Sequence, residues 1–158
     1  MISLRDQPGI YFADSFCEIL FGNKSFSSVV ETSQDSSLCR LKQVHGSTLV
    51  EASPDTLQTA DGQWTKSSRL ILLSKTADCL PILIADPVSQ KTWALHAGWR
   101  GVENKITTQA LAQIPVNAKV RFYIGPHIQQ NSFEVDQDVA EKILAAHNHT
   151  LTSALAEN

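Results

Sequence analysis

The sequence predicts an α/β fold in one compact domain spanning residues 1–158, a mixed β-sheet with helices packed on it, and three observations carry that expectation. Short continuous apolar runs at Leu70-Ile71-Leu72-Leu73, Ile82-Leu83-Ile84-Ala85 and Trp93-Ala94-Leu95-His96 have the length and make-up of strands buried on both faces. Beyond them the apolar spacing lengthens: Val102, Ile106, Ala110 and Ile114 recur every fourth residue, which is a helical stripe. A chain of 158 residues with 42% hydrophobic content is large enough to bury one core.

In chain order, residues 10–21 are apolar without clean periodicity. Residues 25–37, rich in Ser, Thr, Gln and Asp, read as a loop, and order resumes near Leu41. The runs at 70–73, 82–85 and 93–96 are the expected strands, with Asp86-Pro87 turning the chain after the second. The stripe from Val102 gives a helix of about three turns that Pro115 stops. Val120, Phe122 and Ile124 alternate with Arg121 and Tyr123, the pattern of a strand with one wetter face, and Gly125-Pro126 ends it. A closing helix is expected over 136–147, with Val139, Ile143 and Leu144 inward. Neither an internal repeat nor a low-complexity tract interrupts this order.

Composition narrows the function classes. A formal charge of -3 and 18% charged residues give no electrostatic reason to expect nucleic acid or an anionic membrane as partner. No segment approaches the roughly 18–20 apolar residues of a membrane span, and the first residues lack a long apolar signal core, so a soluble, cytoplasmic protein is expected. Cys17, Cys39 and Cys79 are an odd set without framework spacing, which points to reduced thiols.

The most informative stretch is His96-Ala97-Gly98-Trp99-Arg100-Gly101, at the end of an apolar run. Two further pieces, Gln43-Val44-His45-Gly46 and Ala77-Asp78-Cys79-Leu80-Pro81, also begin or end stretches that read as strands. Zinc accepts imidazole nitrogen and thiolate together, and a catalytic zinc keeps three protein ligands and one open position. His45, Cys79 and His96 would supply that set, although their separations match no local ligand motif. The alternative is a small buried thiol and two structural histidines. Arg100 also has two readings, a guanidinium for phosphate beside the first turn of the following helix or a stem packed on Trp99. Asp78, next to Cys79 and facing the other way in extended backbone, is either a supporting or a structural carboxylate.

These blocks, with Ala60-Asp61-Gly62, Gly125-Pro126 and Phe133-Glu134-Val135, resemble in order the laccase-domain family, also called polyphenol-oxidase-like proteins, purine nucleoside phosphorylases of the laccase-domain type, or peptidoglycan editing factors. The resemblance covers about residues 41–140. It implies an α/β fold, a single zinc ion on His45, Cys79 and His96, and phosphorolysis of adenosine, inosine, guanosine and methylthioadenosine. Adenosine deamination, with zinc activating the attacking water, is implied as a further activity. The partners implied are a purine nucleoside and phosphate, with Arg100, Lys24, Gln43 and Asp78 on the substrate and phosphate side. Lys24 stands where the family carries an arginine, and the chain looks shortened at both ends relative to the family. A multicopper oxidase surrounds its coppers with about ten histidines, and this sequence has five. Two other classes remain open: a metal-free hydrolase with Cys79 as nucleophile and His96 or His45 as base, and a non-catalytic zinc-stabilised binding protein; editing of a cell-wall precursor, a role the resemblance also implies, could run on either the cysteine or the zinc chemistry.

Overall fold

The computed structural model describes residues 3–148. Its centre is a five-stranded sheet in the order β11-β9-β10-β7-β5, built from β5 (Leu49–Glu51), β7 (Gly62–Thr65), β9 (Leu80–Asp86), β10 (Lys91–Ala97) and β11 (Arg121–Ile124). All neighbours are antiparallel except β5 and β7, so the sheet is mixed. Strands β9 and β10 form a hairpin in which Trp93 faces Ile84 and Leu95 faces Ile82. Because side chains alternate along a strand, these four and Ala97 share one face. That face packs on Ile106 and Ala110 of α3 (Ile106–Leu111) to make the core. The predicted α/β class and mixed sheet hold.

Three smaller ladders surround the sheet. Strands β1 (Gly9–Ala13) and β2 (Glu18–Gly22) form an antiparallel hairpin, β3 (Leu38–Cys39) pairs in parallel with β8 (Ile71–Leu72), and β4 (Leu41–Lys42) pairs in parallel with β6 (Gln58–Thr59). Helix α4 (Gln137–Ala146) packs on α2 (Trp99–Glu103). Its ends at Asp136 and His147, and its half-buried Val139, Ile143 and Leu144, agree with the sequence reading.

Several elements differ from the sequence reading, each for a physical reason. The expected loop at 25–37 contains helix α1 (Lys24–Thr32). The Asn23 side chain caps it by accepting from the N–H groups of Ser25 and Phe26, and Phe26 and Val30, one turn apart, are half-buried, so capping and packing override the weak helix preference of serine. Residues 10–21 lack alternation because they are two strands and a turn, with Asp14 accepting from the N–H groups of Phe16 and Cys17. The run at 70–73 contributes only Ile71–Leu72, half-buried and outside the central sheet. The single helix from Val102 is two, because Lys105 takes a left-handed φ of 58° between α2 and α3. The stripe survives the break, with Ile106 and Ala110 buried. The alternation at 120–124 does not separate a dry from a wet face: Val120 packs on the core, but Phe122 and Ile124 at the sheet edge are 44% and 57% exposed, and Arg121 on the other side is exposed as well. No helix among the described residues is long and apolar enough to cross a membrane.

Candidate metal centre

Three separate segments bring their polar side chains together at one end of the β9–β10 hairpin. His96 is the penultimate residue of β10 and lies opposite Pro81. It points away from the face that carries Leu95 and Ala97. Cys79 precedes β9 by one residue, two positions from Pro81, so strand alternation carries its sulfur toward the same face. His45 comes from the loop after β4 and is held at a left-handed φ of 60°, rare for a residue with a Cβ. One ligand atom from each of His45, Cys79 and His96 lies within 4.8 Å of the others. The two imidazoles meet edge to face, 4.7 Å between ring centres.

Behind them stands Asp61, 1% exposed. Its Oδ1 lies 2.8 Å from His96 Nδ1 and accepts from the His45 N–H at 2.9 Å, while Oδ2 accepts from the Gly46 N–H at 2.7 Å. The Val44 N–H is shared between both oxygens at 3.2 Å. Burial pushes this carboxyl up, but the bonds from His96, Gly46, Val44 and His45 outweigh it and hold it below the ordinary carboxylate range. Asp61 is the residue that the chemical reading of the sequence missed. The Asp-Gly pair at the start of β7 was visible, but its proximity to His96 follows from the β7–β10 pairing, which puts Gly62 opposite Leu95.

The turn after His96 is built around small residues. Gly98 caps α2, and a Cβ there would stand 3.1 Å from His45 Cδ2 and 3.2 Å from Cys79 Sγ. Gly101 is buried with the Gly46 carbonyl 3.0 Å from where its Cβ would be, so α2 lies directly on the His45 loop. Burial and the negative charges of Asp78 and Asp61 push the Cys79 thiol up.

The remaining sequence candidates are distributed less tightly. Arg100 is exposed in the first turn of α2, with its guanidinium stacked 4.2 Å from the Trp99 ring centre. Asp78, next to Cys79 in the chain, is exposed, and its carbonyl accepts from the Ile128 N–H. The Gln43 amide is engaged at both ends by the Lys75 backbone, donating to the carbonyl and accepting from the N–H, each at 2.8 Å. Lys24 opens α1 and lines a cavity of about 1210 Å³ beneath the β1–β2 hairpin, whose walls include none of the three donors.

The donor set fits one metal ion. Two imidazoles and a thiol are a set that zinc accepts, and their ligand atoms lie close enough together for His45, Cys79 and His96 to hold one ion. Asp61 leaves His96 Nε2 as the free ring nitrogen and supplies the carboxylate–histidine contact common at such sites. The donors do not suit a multicopper cluster. Among the described residues the other histidines, His127 and His147, contact the carbonyls of Gly125 and Val102 instead.

The structure is that of a mixed α/β protein in which, among the described residues, a His-Cys-His group able to hold a metal is backed by a buried carboxylate. The chain belongs to the family described as multi-copper polyphenol oxidoreductase laccase, which matches residues 12–157. A Pseudomonas aeruginosa protein named purine nucleoside phosphorylase PA4543 is 36% identical over 108 residues, covering 68% of this chain and 45% of that protein. A Rickettsia conorii protein named purine nucleoside phosphorylase RC0672 is 34% identical over 132 residues, covering 81% and 54%. The chain thus spans about half the length of the curated relatives it matches. Among solved structures, Neisseria meningitidis NMB0706 superposes with a TM-score of 0.66 at 23% identity, over 88% of this chain and 62% of that one, and so shares the fold. The Bacillus licheniformis hypothetical protein YfiH superposes with a TM-score of 0.63 at 27% identity, over 76% and 51%.

Proposed function

We propose that this chain is a zinc-dependent purine nucleoside phosphorylase acting on adenosine, inosine, guanosine or methylthioadenosine, with adenosine deamination as a second activity of the same centre. The observation that carries this reading is the convergence of His45, Cys79 and His96 in front of Asp61, and the names of the relatives supply the substrate class. A bound zinc ion supplies positive charge that stabilises negative charge developing on a ligand atom. In phosphorolysis a phosphate oxygen bonds to ribose C1′ as the C1′–N bond to the base breaks, and the base leaves with the electron pair and takes up a proton. Arg100, with its planar fork, holds phosphate at the mouth of the site, and Asp78 accepts from a sugar hydroxyl. Gln43 contributes by pinning the Lys75 backbone, and Lys24 serves phosphate only from the neighbouring cavity.

One observation favours a second reading. His96 between Asp61 and Cys79 has the order of a nucleophile–base–carboxylate triad. The two readings part at the Cys79 sulfur, which a bound ion would occupy in the first and which is free to react in the second. The test is release of free base from each of the four nucleosides by zinc-loaded protein, with and without phosphate. Phosphate-dependent release that stops on chelation and returns with zinc is expected. Hydrolysis indifferent to zinc would replace this reading with the cysteine one, and stoichiometric zinc without turnover would replace it with a binding protein.

A further inference from the structure

We propose that Asp61 is a positioning residue that presets both histidines of the metal centre before any metal arrives, a role that rests on reading His45, Cys79 and His96 as zinc ligands. Two independent contacts lead there. The first is with the His96 side chain. An ionised carboxylate only accepts hydrogen bonds, so Oδ1 at 2.8 Å requires the proton on Nδ1 and leaves the Nε2 lone pair free. The backbone bond from His96 N–H to the Asp61 carbonyl, 2.7 Å, locks the same two residues in register.

The second contact is with the backbone of the other histidine. The N–H groups of Val44, His45 and Gly46 all point at this one carboxylate. Successive N–H groups converging through a left-handed residue form a concave anion site, and here the anion belongs to the protein. The φ of 60° that aims the His45 ring is therefore held by the same two oxygens that orient His96. One buried side chain couples ligands from a loop and a strand, while Cys79 is positioned separately by the start of β9. An organised pair of imidazoles loses little freedom on binding, which raises metal affinity without adding a ligand.

Asp61→Asn keeps the shape but exchanges one acceptor oxygen for a donor that faces N–H groups. Competition with a chelator reads zinc affinity, and nitrogen NMR of metal-free protein reads the His96 tautomer. We expect zinc to bind the variant about 10–100-fold more weakly, and the Nδ1–H signature of His96, present in the parent, to be lost. Parent-like zinc affinity with an unchanged tautomer in the variant would overturn the proposal. If the variant does not fold, the parent alone decides: a metal-free His96 protonated on Nε2 is incompatible with a carboxylate at Nδ1 and overturns it equally. Failure of the parent to bind zinc would sink the metal reading and, with it, this role. The tautomer would still report whether Asp61 holds His96.

Discussion

Gly98→Ala places one methyl group inside the candidate centre and changes almost nothing else. The Gly98 backbone, φ -70° and ψ 171°, is open to any L residue, so no strain arises from the main chain. Alanine restricts the unfolded chain, a gain of about 0.4–1 kcal/mol, and is a poorer helix cap than glycine by a similar amount, so these effects roughly cancel. What remains is contact: the new Cβ stands 3.1 Å from His45 Cδ2 and 3.2 Å from Cys79 Sγ, where optimal contacts are about 3.5–4.0 Å. Overpacking of this kind costs about 1–3 kcal/mol. It is relieved by pushing the two side chains apart, away from the position in which they share an ion. At about 1.4 kcal/mol per factor of ten, zinc should bind roughly 10–100-fold more weakly, read by competition with a chelator. Gly46→Ala is the matched control, because its Cβ would meet Asp61 Oδ2 at 3.4 Å and Val44 Cγ2 at 3.8 Å, ordinary contacts. A Gly98→Ala protein that binds zinc as tightly as the parent would refute the placement of His45 and Cys79 about one ion.

Two further changes probe the surroundings. Arg100→Lys keeps the charge but loses the fork, so the phosphate KM should rise several-fold with little change in melting temperature, since the side chain is exposed; unchanged phosphate dependence would leave Arg100 a residue stacked on Trp99. Asp14 ties the β1–β2 turn to β11 through Arg121 Nη1 at 2.7 Å and Tyr123 Oη at 3.2 Å. The N–H groups of Phe16 and Cys17, with Tyr123 and Arg121, hold its carboxyl below the usual range. A folded-state pKa below the unfolded one contributes stability above the ordinary carboxylate range that is lost as pH falls through and below about 4. Asp14→Asn should therefore melt lower than the parent at pH 7, with the gap closing in acid; a gap that stays constant with pH would contradict this role.

The sequence made the central hairpin legible because the runs at 82–85 and 93–96 are long enough to fix strands, and Asp86-Pro87 fixes the turn between them. The three candidate donors were legible by residue type and by their places beside Gly, Asp or Pro, although spacing alone gave no reason for them to meet. Convergence depends on contacts far apart in the chain. Asp61 reaches His96 only because β7 pairs with β10, a register that no local pattern announces. Helix α1 was hidden because serine and threonine suggest a loop, whereas the decisive signals were the Asn23 cap and the Phe26–Val30 face. The break at Lys105 was hidden for the opposite reason, since the stripe of Val102, Ile106 and Ala110 continues across it. Gln43, adjacent to the donor loop, turned out to face the Lys75 backbone, a partner beyond any local reading.

Alkylation of Cys79, followed by mass spectrometry alongside nucleoside turnover before and after a strong chelator, bears most directly on the central claim that His45, Cys79 and His96 hold one zinc ion required for activity. Cys39 is buried and Cys17 half-buried, so both serve as internal references that the chelator leaves unchanged. Slow labelling of Cys79 with phosphate-dependent turnover is expected in the zinc-loaded protein, faster labelling without turnover after chelation, and recovery of both on adding zinc. Rapid labelling of Cys79 in zinc-loaded protein, abolishing activity whether or not chelator is present, would contradict that claim.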